Sequence, residues 1–258
     1  MIHPTAIIAP QARLGANVSV GPFSIIHANV DIGADSVIDG YCELGYPTPL
    51  ADGAPLVIGA GARIRSHSVF YEGSTFGPGL TTGHRVTVRE KTVAGRQFQI
   101  GTLGDIQGDC QIGDHVRCHS NVHIGKMSAV GDFVWLFPYV VLTNDPHPPS
   151  DTCIGCTIAD YAVVATMSVV LPGVHVGRHA LVAAHSMVGK DVAPATVVGG
   201  SPAKYICDTS KIKLRDGSGR PAYPWTSHFR RGYPADVTDG WDQMQVLVTA
   251  AAPGDDAA

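Results

Sequence analysis

The sequence predicts an all-β fold in which short strands coil into a parallel β-helix, and two observations support this. An aliphatic residue recurs at every sixth position, and a mostly small residue follows four positions after each. The opening series is unbroken through Ile2, Ile8, Leu14, Val20, Ile26, Ile32, Ile38 and Leu44. A six-residue period fits neither a helix, with its repeat of about 3.6 residues, nor a simple hairpin sheet. It fits a short strand plus a corner, three of which form one 18-residue coil of a solenoid.

The six-residue period is interrupted twice along the chain. The segment GYPTPLADGAPLV separates the first block from a second, which starts at Ile58 and runs in steps of six to Leu142. The segment TNDPHPPSDTCIGC separates that block from a third, from Ile158 to Val188. Clusters of Pro, Gly and Asp between periodic segments are typical of loops, so both segments are predicted to be inserted loops.

These interruptions and the end of the period divide the chain into two parts. Residues 1–204 are predicted to form the β-helix, with loop insertions at about 45–57 and 143–157. Residues 205–258 lose the period, gain Pro, Tyr, Trp and Arg, and are predicted to form a short C-terminal appendage. Within it, DVTDGWDQMQVLVTAA is predicted to include a short helix and AAPGDDAA to fray.

The repeat also predicts which residues face the core and which turn the chain. The aliphatic residues are expected to point inward, in coils stacked about 4.8 Å apart. Glycine after the aliphatic residue, as in IGDHV, IGKMS and VGDFV, is expected to form the tight corner, because it adopts backbone angles that other residues avoid. Four cysteines fall on inward positions and are predicted to be buried: Cys42, Cys110, Cys118 and Cys156. The motif CIGC has no second pair, which makes it a weak candidate for a metal clip.

Composition narrows the function classes. The 258 residues are 45% hydrophobic and 16% charged, with a formal net charge of -4. Without a basic field or a Lys/Arg run, nucleic acid is not an expected partner. The start MIHPTAIIAPQARLG has no basic segment followed by an apolar stretch, and no segment approaches the roughly 18 apolar residues of a membrane span. A cytoplasmic location and no membrane partner are therefore expected.

Residues 18 apart lie on the same face of successive coils, and this register brings polar side chains together on one face. Two neighbouring outward columns contain, respectively, Thr87, Asp105, His123 and Val141, and Arg89, Gln107, Gly125 and Thr143. His123 is therefore one strand from Asp105, close enough for a carboxylate–imidazole contact. The third face offers no reactive side chain, since its columns contain Thr75, Val93, Gln111 and Ala129, and Gly77, Gly95, Gly113 and Gly131.

Other polar residues surround this face. His119 is predicted on the adjacent face, beside Trp135, either bonded to a backbone carbonyl or facing substrate. His84 lies at a corner of the coil before Asp105, with the same two alternatives. The second loop leaves the coil after Thr143, so it can carry further groups over the polar face: Asn144, Asp145 and His147.

The segments GHRVTVREKT, IGTLGDIQGDC, HSNVHIG and FVWLFPYVVLTNDPHPPS resemble the hexapeptide-repeat acyltransferases that N-acetylate nucleotide-linked 3-amino sugars. The similarity is greatest to the dTDP-3-amino-3,6-dideoxyhexose N-acetyltransferases, and it continues through VVGGSPAKYI into the tail AYPWTSHFRRGYP. The resemblance implies a left-handed parallel β-helix, a homotrimer with active sites between subunits, acetyl-CoA as acyl donor and a nucleotide-linked amino sugar as acceptor.

Acyl transfer to an amine requires loss of a proton and stabilisation of an oxyanion. A neutral imidazole at His123, oriented by Asp105, is predicted to take the proton, and the Asn121 amide or a backbone N–H to stabilise the oxyanion. In the alternative, the departing thiolate takes the proton and His123 positions the acceptor.

The remaining site residues are predicted by position. The acceptor is expected to contact His84, Gln107, His119, Asn144, Asp145 and His147, with Arg85 and Arg89 as candidates for its diphosphate. Coenzyme A is expected to contact Trp135, Lys190 and Lys204. The Gly-rich GPGLTTG matches neither a P-loop nor a dinucleotide fingerprint.

Three alternatives stay open at this stage. The acceptor could be a UDP-linked amino sugar, or the donor another acyl-CoA. The protein could be a zinc hydratase of the γ-carbonic anhydrase kind, with His119 and His123 as ligands, although no metal is expected because Asp105 is placed as an imidazole partner. It could also be a non-catalytic β-helix scaffold, which predicts outward columns without polar clusters.

Overall fold

The computed structural model describes residues 1–241 and confirms the predicted parallel β-helix. Most strands are two residues long, and, except at the end of the helix, each pairs with the strand three places further along the chain. The chain therefore rises coil by coil around one core, and three parallel sheets form its sides.

The strands are distributed over three sheets. Sheet 1 comprises Ile7–Ile8, Ile25–Ile26, Glu43–Tyr46, Val69–Tyr71, Thr87–Val88, Asp105–Ile106, His123–Ile124, Val141–Leu142, Val169–Val170 and Met187–Val188. Sheet 2 comprises Arg13–Leu14, Val30–Ile32, Leu56–Ile58, Thr75–Phe76, Val93–Ala94, Gln111–Ile112, Ala129–Val130, Thr157–Ile158 and His175–Val176. Sheet 3 comprises Ser19–Val20, Val37–Ile38, Arg63–Ile64, Thr81–Thr82, Gln99–Ile100, Arg117–Cys118, Trp135–Leu136, Val163–Val164, Leu181–Val182, Thr196–Gly199 and Lys204–Asp208.

The core is a continuous column of the residues that define the repeat. From Val20 onward every sixth-position residue of the three blocks is buried, and Phe70 and Phe76 meet edge to face with ring centroids 5.3 Å apart. Inward serines satisfy their hydroxyls on the backbone. Ser68, for example, donates to the carbonyl of Arg65 at 2.8 Å and accepts from the N–H of Val86 at 3.3 Å. The Ser68 hydroxyl is thus buried without losing its hydrogen bonds.

The four inward cysteines are buried, as predicted. Burial raises the pKa of the Cys42, Cys110 and Cys156 thiols to about 11, and it raises that of Cys118 further. The Cys156 thiol donates to main-chain carbonyls, including that of Thr143 at 3.2 Å. These thiols are protonated at neutral pH and serve as small apolar residues.

The glycines that follow the aliphatic residues have a different role from the predicted one. Gly113 and Gly131 do not have a positive φ; the left-handed corner residues come two positions later, at His115 and Phe133 with φ 56° and 58°. A Cβ on Gly113 would collide with the Asp132 carboxylate of the next coil. The prediction that these glycines form the corner was wrong. A glycine is required at these positions because the next coil approaches too closely for a Cβ, and the turn itself is made two residues later.

Aspartates occupy the space that these glycines leave open. Asp114, Asp132 and Asp160 follow one another on successive coils, and each carboxylate accepts a hydrogen bond from a backbone N–H of the preceding coil. The donors are the N–H groups of Arg96, Asp114 and Asp132, at 2.9, 2.7 and 3.0 Å. We call this column the aspartate ladder, and it ties four coils together at the corner between sheets 2 and 3.

The two interruptions are loops inserted between paired strands. Ile32 pairs with Ile58, and Val130 pairs with Ile158, where an unbroken coil would place the partner 18 residues on. The first loop contains the 3-10 helix Pro49–Ala51 and is held by Asn29, whose amide donates to the carbonyls of Gly53 and Ala54 at 3.1 Å each. The second loop leaves the register of the neighbouring strands unchanged, whereas at the start of the first loop the pairing shifts by one residue, because Phe70 pairs with Leu44 and Tyr71 with Tyr46.

The described chain divides into two compact units, Met1–Ile206 and a second that begins at Cys207. The second unit contains the 3-10 helices Thr209–Lys211 and Trp225–Ser227, and residues 235–241 are helical. The rest of the helix predicted in DVTDGWDQMQVLVTAA, and the segment AAPGDDAA, lie outside the described residues. In residues 1–241 no helix is long and apolar enough to cross a lipid bilayer.

An aromatic cluster forms the core of the second unit. Trp225 packs edge to face on Trp241 with ring centroids 5.4 Å apart, and Tyr233 contacts both rings, at 5.7 and 4.9 Å. Both tryptophans are buried. This packing explains why the tail is rich in aromatic residues although it has lost the six-residue repeat.

Candidate active site

Sheet 1 brings His123 and Asp105 together as the register predicts. The strands Asp105–Ile106 and His123–Ile124 are neighbours, with Asp105 directly opposite His123. His123 Nδ1 lies 2.9 Å from Asp105 Oδ2, and the two side chains are 36% and 34% exposed. Both residues are therefore accessible from solvent while their relative orientation is fixed by the sheet.

Gln107 completes the support of the carboxylate. Its Nε2 donates to Asp105 Oδ2 at 2.7 Å, so this oxygen contacts both Gln107 and His123. Burial by itself would raise the pKa of Asp105, but these two hydrogen bonds and the charges of His123 and Arg89 outweigh it and lower the pKa below its ordinary value. Asp105 is thus held as a carboxylate. Gln107 contacts Asp105, and its predicted contact with substrate stays a prediction.

This environment predicts how the contribution of Asp105 to stability changes with pH. Because its pKa is lower in the folded than in the unfolded chain, its stabilising effect is present above the ordinary carboxyl pKa of about 3.9 and is lost as pH falls through the folded value. We expect the melting temperatures of Asp105→Asn and wild type to differ most near neutral pH. The difference should shrink as the pH falls below about 3.9 and through the lower pKa that Asp105 has in the folded chain. A constant difference between pH 7 and pH 3 would contradict this.

The His123 ring contacts Asp105 through Nδ1, so its second nitrogen, Nε2, lies on the side of the ring away from Asp105. In the neutral ring that a base requires, a proton on Nδ1 is shared with the Asp105 carboxylate, and the lone pair is then on Nε2. His27 and Glu43 form another histidine–carboxylate pair on sheet 1 in the opposite orientation, because Glu43 Oε1 lies 2.9 Å from His27 Nε2. Of these two histidines, His123 leaves the outer nitrogen of its ring available to a ligand.

Asn121 lies at the corner that leads into the His123 strand. It has a left-handed backbone with φ 60°, a conformation that asparagine tolerates. The backbone N–H groups of Asn121 and His123 donate to Thr102 and Val140 of neighbouring coils, both at 2.9 Å. These two N–H groups are therefore occupied, and the Asn121 side-chain amide is the better candidate for an oxyanion donor.

His119 lies at the end of the adjacent strand of sheet 3 and packs against aromatic rings. It stacks on Phe137 with centroids 4.8 Å apart and contacts Trp135 at 5.8 Å, while Arg117 lies 4.9 Å from the Trp135 ring centre. Burial, followed by the charge of Arg117, lowers the pKa of His119. His119 is therefore a neutral imidazole near pH 7, and its contact with Trp135 agrees with the register, which predicted it beside that residue.

The second loop is organised by its own contacts. Asp145 accepts hydrogen bonds from the N–H of His147 at 3.0 Å and from the hydroxyl of Ser150 at 2.7 Å. Asn144 donates to Cys153 Sγ at 3.2 Å. Within residues 1–241, no hydrogen bond joins Asn144, Asp145 or His147 to His123 or Asp105, so the predicted role of this loop in substrate binding stays a prediction.

The two arginines predicted for the diphosphate occupy different environments. Arg89 lies on sheet 1 and donates from Nε and Nη2 to the Glu90 carboxylate, at 3.3 Å each; the Glu90 side chain is only 1% exposed. Arg85 is exposed at the corner between sheets 3 and 1. His84 precedes it, with its Nδ1 2.9 Å from the hydroxyl of Ser66. Ser66 was not among the predicted site residues, although it lies 18 residues before His84 and the register places the two side by side.

The residues predicted for coenzyme A are not brought together by a direct contact. Trp135 belongs to the aromatic surface with His119, whereas Lys190 and Lys204 are exposed on the last coils. Neither lysine side chain has a hydrogen-bond or ion-pair partner among residues 1–241. Within residues 1–241 no three His, Cys, Asp or Glu side chains converge as a metal-ligand group.

Comparison with curated proteins identifies clear relatives. The chain is 31% identical over 216 residues to the acyl-[acyl-carrier-protein]–UDP-N-acetylglucosamine O-acyltransferase of Stutzerimonas stutzeri, which covers 79% of this chain and 72% of the relative. The enzyme of the same name from Pseudomonas putida is 30% identical over 225 residues, with the same coverage. No family model matches the chain.

Solved structures support the fold. The UDP-N-acetylglucosamine acyltransferase of Arabidopsis superposes with a TM-score of 0.59 at 18% identity, covering 81% of this chain and 74% of that chain. The Campylobacter jejuni enzyme gives 0.50 at 19% identity, covering 99% and 86%. The predicted fold class, a left-handed parallel β-helix, is confirmed.

Proposed function

The chain belongs to the hexapeptide-repeat acyltransferases that fold as a left-handed β-helix, and we propose that it transfers acetyl from acetyl-CoA to the 3-amino group of a dTDP-linked 3-amino-3,6-dideoxyhexose. The site is proposed to lie in residues 1–204. The choice of an amine, of dTDP and of acetyl rests on the motif resemblance that runs from GHRVTVREKT to VLTNDPHPPS.

The observation that carries the proposal is the His123–Asp105 pair, in which Asp105 contacts Nδ1 and leaves the Nε2 of His123 on the far side of the ring. A sugar ammonium is not nucleophilic until it loses a proton. Nε2 can accept that proton, and the carboxylate held by Gln107 stabilises the imidazolium that results. The amine nitrogen then attacks the thioester carbonyl.

The rest of the reaction requires an oxyanion donor and a leaving group. As the C–N bond forms, charge develops on the carbonyl oxygen, and the Asn121 amide is proposed to donate to it. The C–S bond then breaks, and the nitrogen, which still carries one proton too many, gives it either to the departing thiolate of coenzyme A or to Nε2 once the imidazolium has passed its own proton to the thiolate. If the amine instead binds already neutral and the thiolate takes the nitrogen's proton, His123 positions the amine and does not act as base.

O-acylation is the second candidate, favoured by the curated relatives, which are O-acyltransferases of UDP-N-acetylglucosamine. A hydroxyl is far less acidic than an ammonium, so this reaction has a stronger requirement for a base. The same His123–Asp105 pair would serve it, with an acyl carrier protein or acyl-CoA as donor.

An acyl-transfer assay distinguishes these reactions. Purified protein is incubated with acetyl-CoA, longer acyl-CoA or acyl carrier protein thioesters, against dTDP- and UDP-linked 3-amino and 4-amino sugars and UDP-N-acetylglucosamine. Thiol release and product mass are measured. The proposal predicts an amide on a dTDP-linked 3-amino sugar with acetyl-CoA. An ester on UDP-N-acetylglucosamine would replace it with the second candidate, and absence of transfer in every combination would overturn both.

The resemblance also leads us to propose a homotrimer with active sites between subunits. Light scattering on the purified protein measures the assembly directly. A monomer that is fully active would contradict the proposal.

A further inference from the structure

A group of basic and hydroxyl side chains lies at the corner between sheets 3 and 1, two and three coils before the His123 strand. It consists of Arg65, Ser66 and His67 on one coil and His84 and Arg85 on the next. We propose that this cationic corner binds the diphosphate of the nucleotide-linked acceptor. The inference rests on the proposed function and assigns a subsite to it.

Hydrogen bonds organise the cationic corner. The Ser66 hydroxyl lies 2.9 Å from His84 Nδ1 and 3.0 Å from His67 Nδ1. Both rings contact this serine through Nδ1, so the Nε2 of each lies on the side away from Ser66. The hydroxyl has one proton and can donate to one of the two rings, and that ring then carries its own proton on Nε2 and can donate it to a phosphate oxygen. The backbone N–H of Arg85 donates to the carbonyl of Ser66 at 3.0 Å, and this hydrogen bond joins the two coils that contribute to the cationic corner.

The charges of the cationic corner are not neutralised. Arg65 and Arg85 are exposed, and within residues 1–241 neither guanidinium has a carboxylate partner. Arg89, in contrast, is paired with the buried Glu90 and lies on the face that carries Asp105. A diphosphate is stabilised by unpaired cations, whereas at Arg89 it would have to compete with a carboxylate already in place. Of the two arginines predicted for the diphosphate, the charges favour Arg85.

The spacing along the helix suits a nucleotide sugar. Arg85 and Asn121 occupy the same left-handed corner position, with Leu103 between them. Two coil steps of about 4.8 Å separate Arg85 from Asn121, or about 10 Å along the helix axis. This is comparable to the length of a hexose with its anomeric phosphate. An acceptor with its amine at His123 would then reach the cationic corner with its diphosphate.

The corner continues beyond the arginines into aromatic side chains. His67 stacks on Tyr41 with centroids 5.0 Å apart, and Tyr41 stacks on Phe23 at 5.2 Å. Tyr41 and Phe23 are more than half exposed. These aromatic side chains follow the cations in the direction in which the nucleoside would extend. Polar, cationic and aromatic side chains therefore come in the same order along the corner as the sugar, diphosphate and nucleoside of the ligand.

The test measures binding of dTDP, used as the probe, by calorimetry. The double variant Arg65→Gln/Arg85→Gln should weaken dTDP at least tenfold and raise KM for the nucleotide sugar with little change in kcat. Arg85→Lys should lose less than Arg85→Gln. The control Arg13→Gln removes one charge from an exposed ion pair on sheet 2 and should leave binding unchanged. Circular dichroism melts establish that each variant is folded.

A competing arm changes the other arginine. Arg89→Gln combined with Glu90→Gln removes the pair without leaving a buried carboxylate alone, and it should keep dTDP affinity within about threefold. Wild-type affinity in the Arg65/Arg85 double variant, or a greater loss in the Arg89/Glu90 variant, would overturn the inference.

The outcomes for subsite and function are separable. If dTDP binds through the cationic corner but no acceptor is acylated, the subsite stands and the proposed function fails. If acyl transfer proceeds with unchanged KM in the double variant, the function stands and the subsite is wrong.

Discussion

Replacement of His123 by asparagine is expected to lower kcat for acyl transfer at least about tenfold, since a positioned general base contributes about 10²–10⁴ in rate. Asparagine keeps a polar side chain toward Asp105 but removes the Nε2 lone pair. If His123 is the base, the acid limb of the wild-type pH–rate profile, which reports its ionisation, disappears in the variant. If His123 positions the acceptor, the rate falls but the acid limb persists.

The chain supplies a matched control for this variant. His27 also pairs with a carboxylate on sheet 1, at the same 2.9 Å, and the side chains of His27 and Glu43 are 30% and 31% exposed. Its outer nitrogen is engaged by Glu43, so His27→Asn should retain wild-type kcat. Near-wild-type turnover of His123→Asn would remove His123 from the catalytic residues, and equal losses in both variants would point to a general effect on sheet 1.

Replacement of Gly101 by alanine is expected to cause the largest loss of stability among the substitutions considered. Its Cβ would lie 2.5 Å from the N of Ser120 and 2.6 Å from the carbonyl carbon of His119. These are backbone atoms of the next coil, so no rotamer change relieves the collision. Overpacking costs about 1–3 kcal/mol, and at the upper end we expect the melting temperature to fall by about 6–12 °C.

The control is a glycine with flexible neighbours. A Cβ on Gly189 would meet the ends of the Leu171 and Met187 side chains at 3.3 and 3.7 Å, so Gly189→Ala should change the melting temperature by no more than about 2 °C. Differential scanning calorimetry compares the two. Because the shifted coil carries His119 and Asn121, we also expect Gly101→Ala to reduce activity at temperatures where it is folded. Equal melting temperatures for the two variants would show that the coils can move apart freely.

The architecture was predictable because one short period dictates it. Residues 18 apart pair throughout the unbroken blocks, so the position of His123 beside Asp105 could be derived before the structure was known. The role of the glycines could not be predicted, because a glycine after an aliphatic residue fits both a tight turn and a close approach of the next coil. Only the contact between Gly113 and Asp132 of the next coil separates the two.

The site was predictable to the level of neighbouring columns and no further. The register places Gln107 beside Asp105, but not the hydrogen bond that makes it a partner of the carboxylate. Nor does it show that Arg89 turns to Glu90, since side-chain direction at a corner depends on burial and charge. The loop at 144–156 has no period at all, and its conformation follows from the local capping by Asp145.

The aspartate ladder has a consequence for how such a chain can change in length. Each contact is made of a glycine on one coil and an aspartate on the next, and the pairs Gly95 with Asp114, Gly113 with Asp132 and Gly131 with Asp160 are equivalent. A duplicated 18-residue coil would therefore bring an aspartate to meet the glycine of the coil before it and a glycine to meet the aspartate of the coil after it. It could join both neighbours without other changes in sequence. In the third pair, Gly131 and Asp160, the second loop lies between the two residues along the chain, so the contact forms even where a long insertion separates the coils. Coils linked in this way are interchangeable units, and the number of coils can vary while the geometry at each junction stays the same.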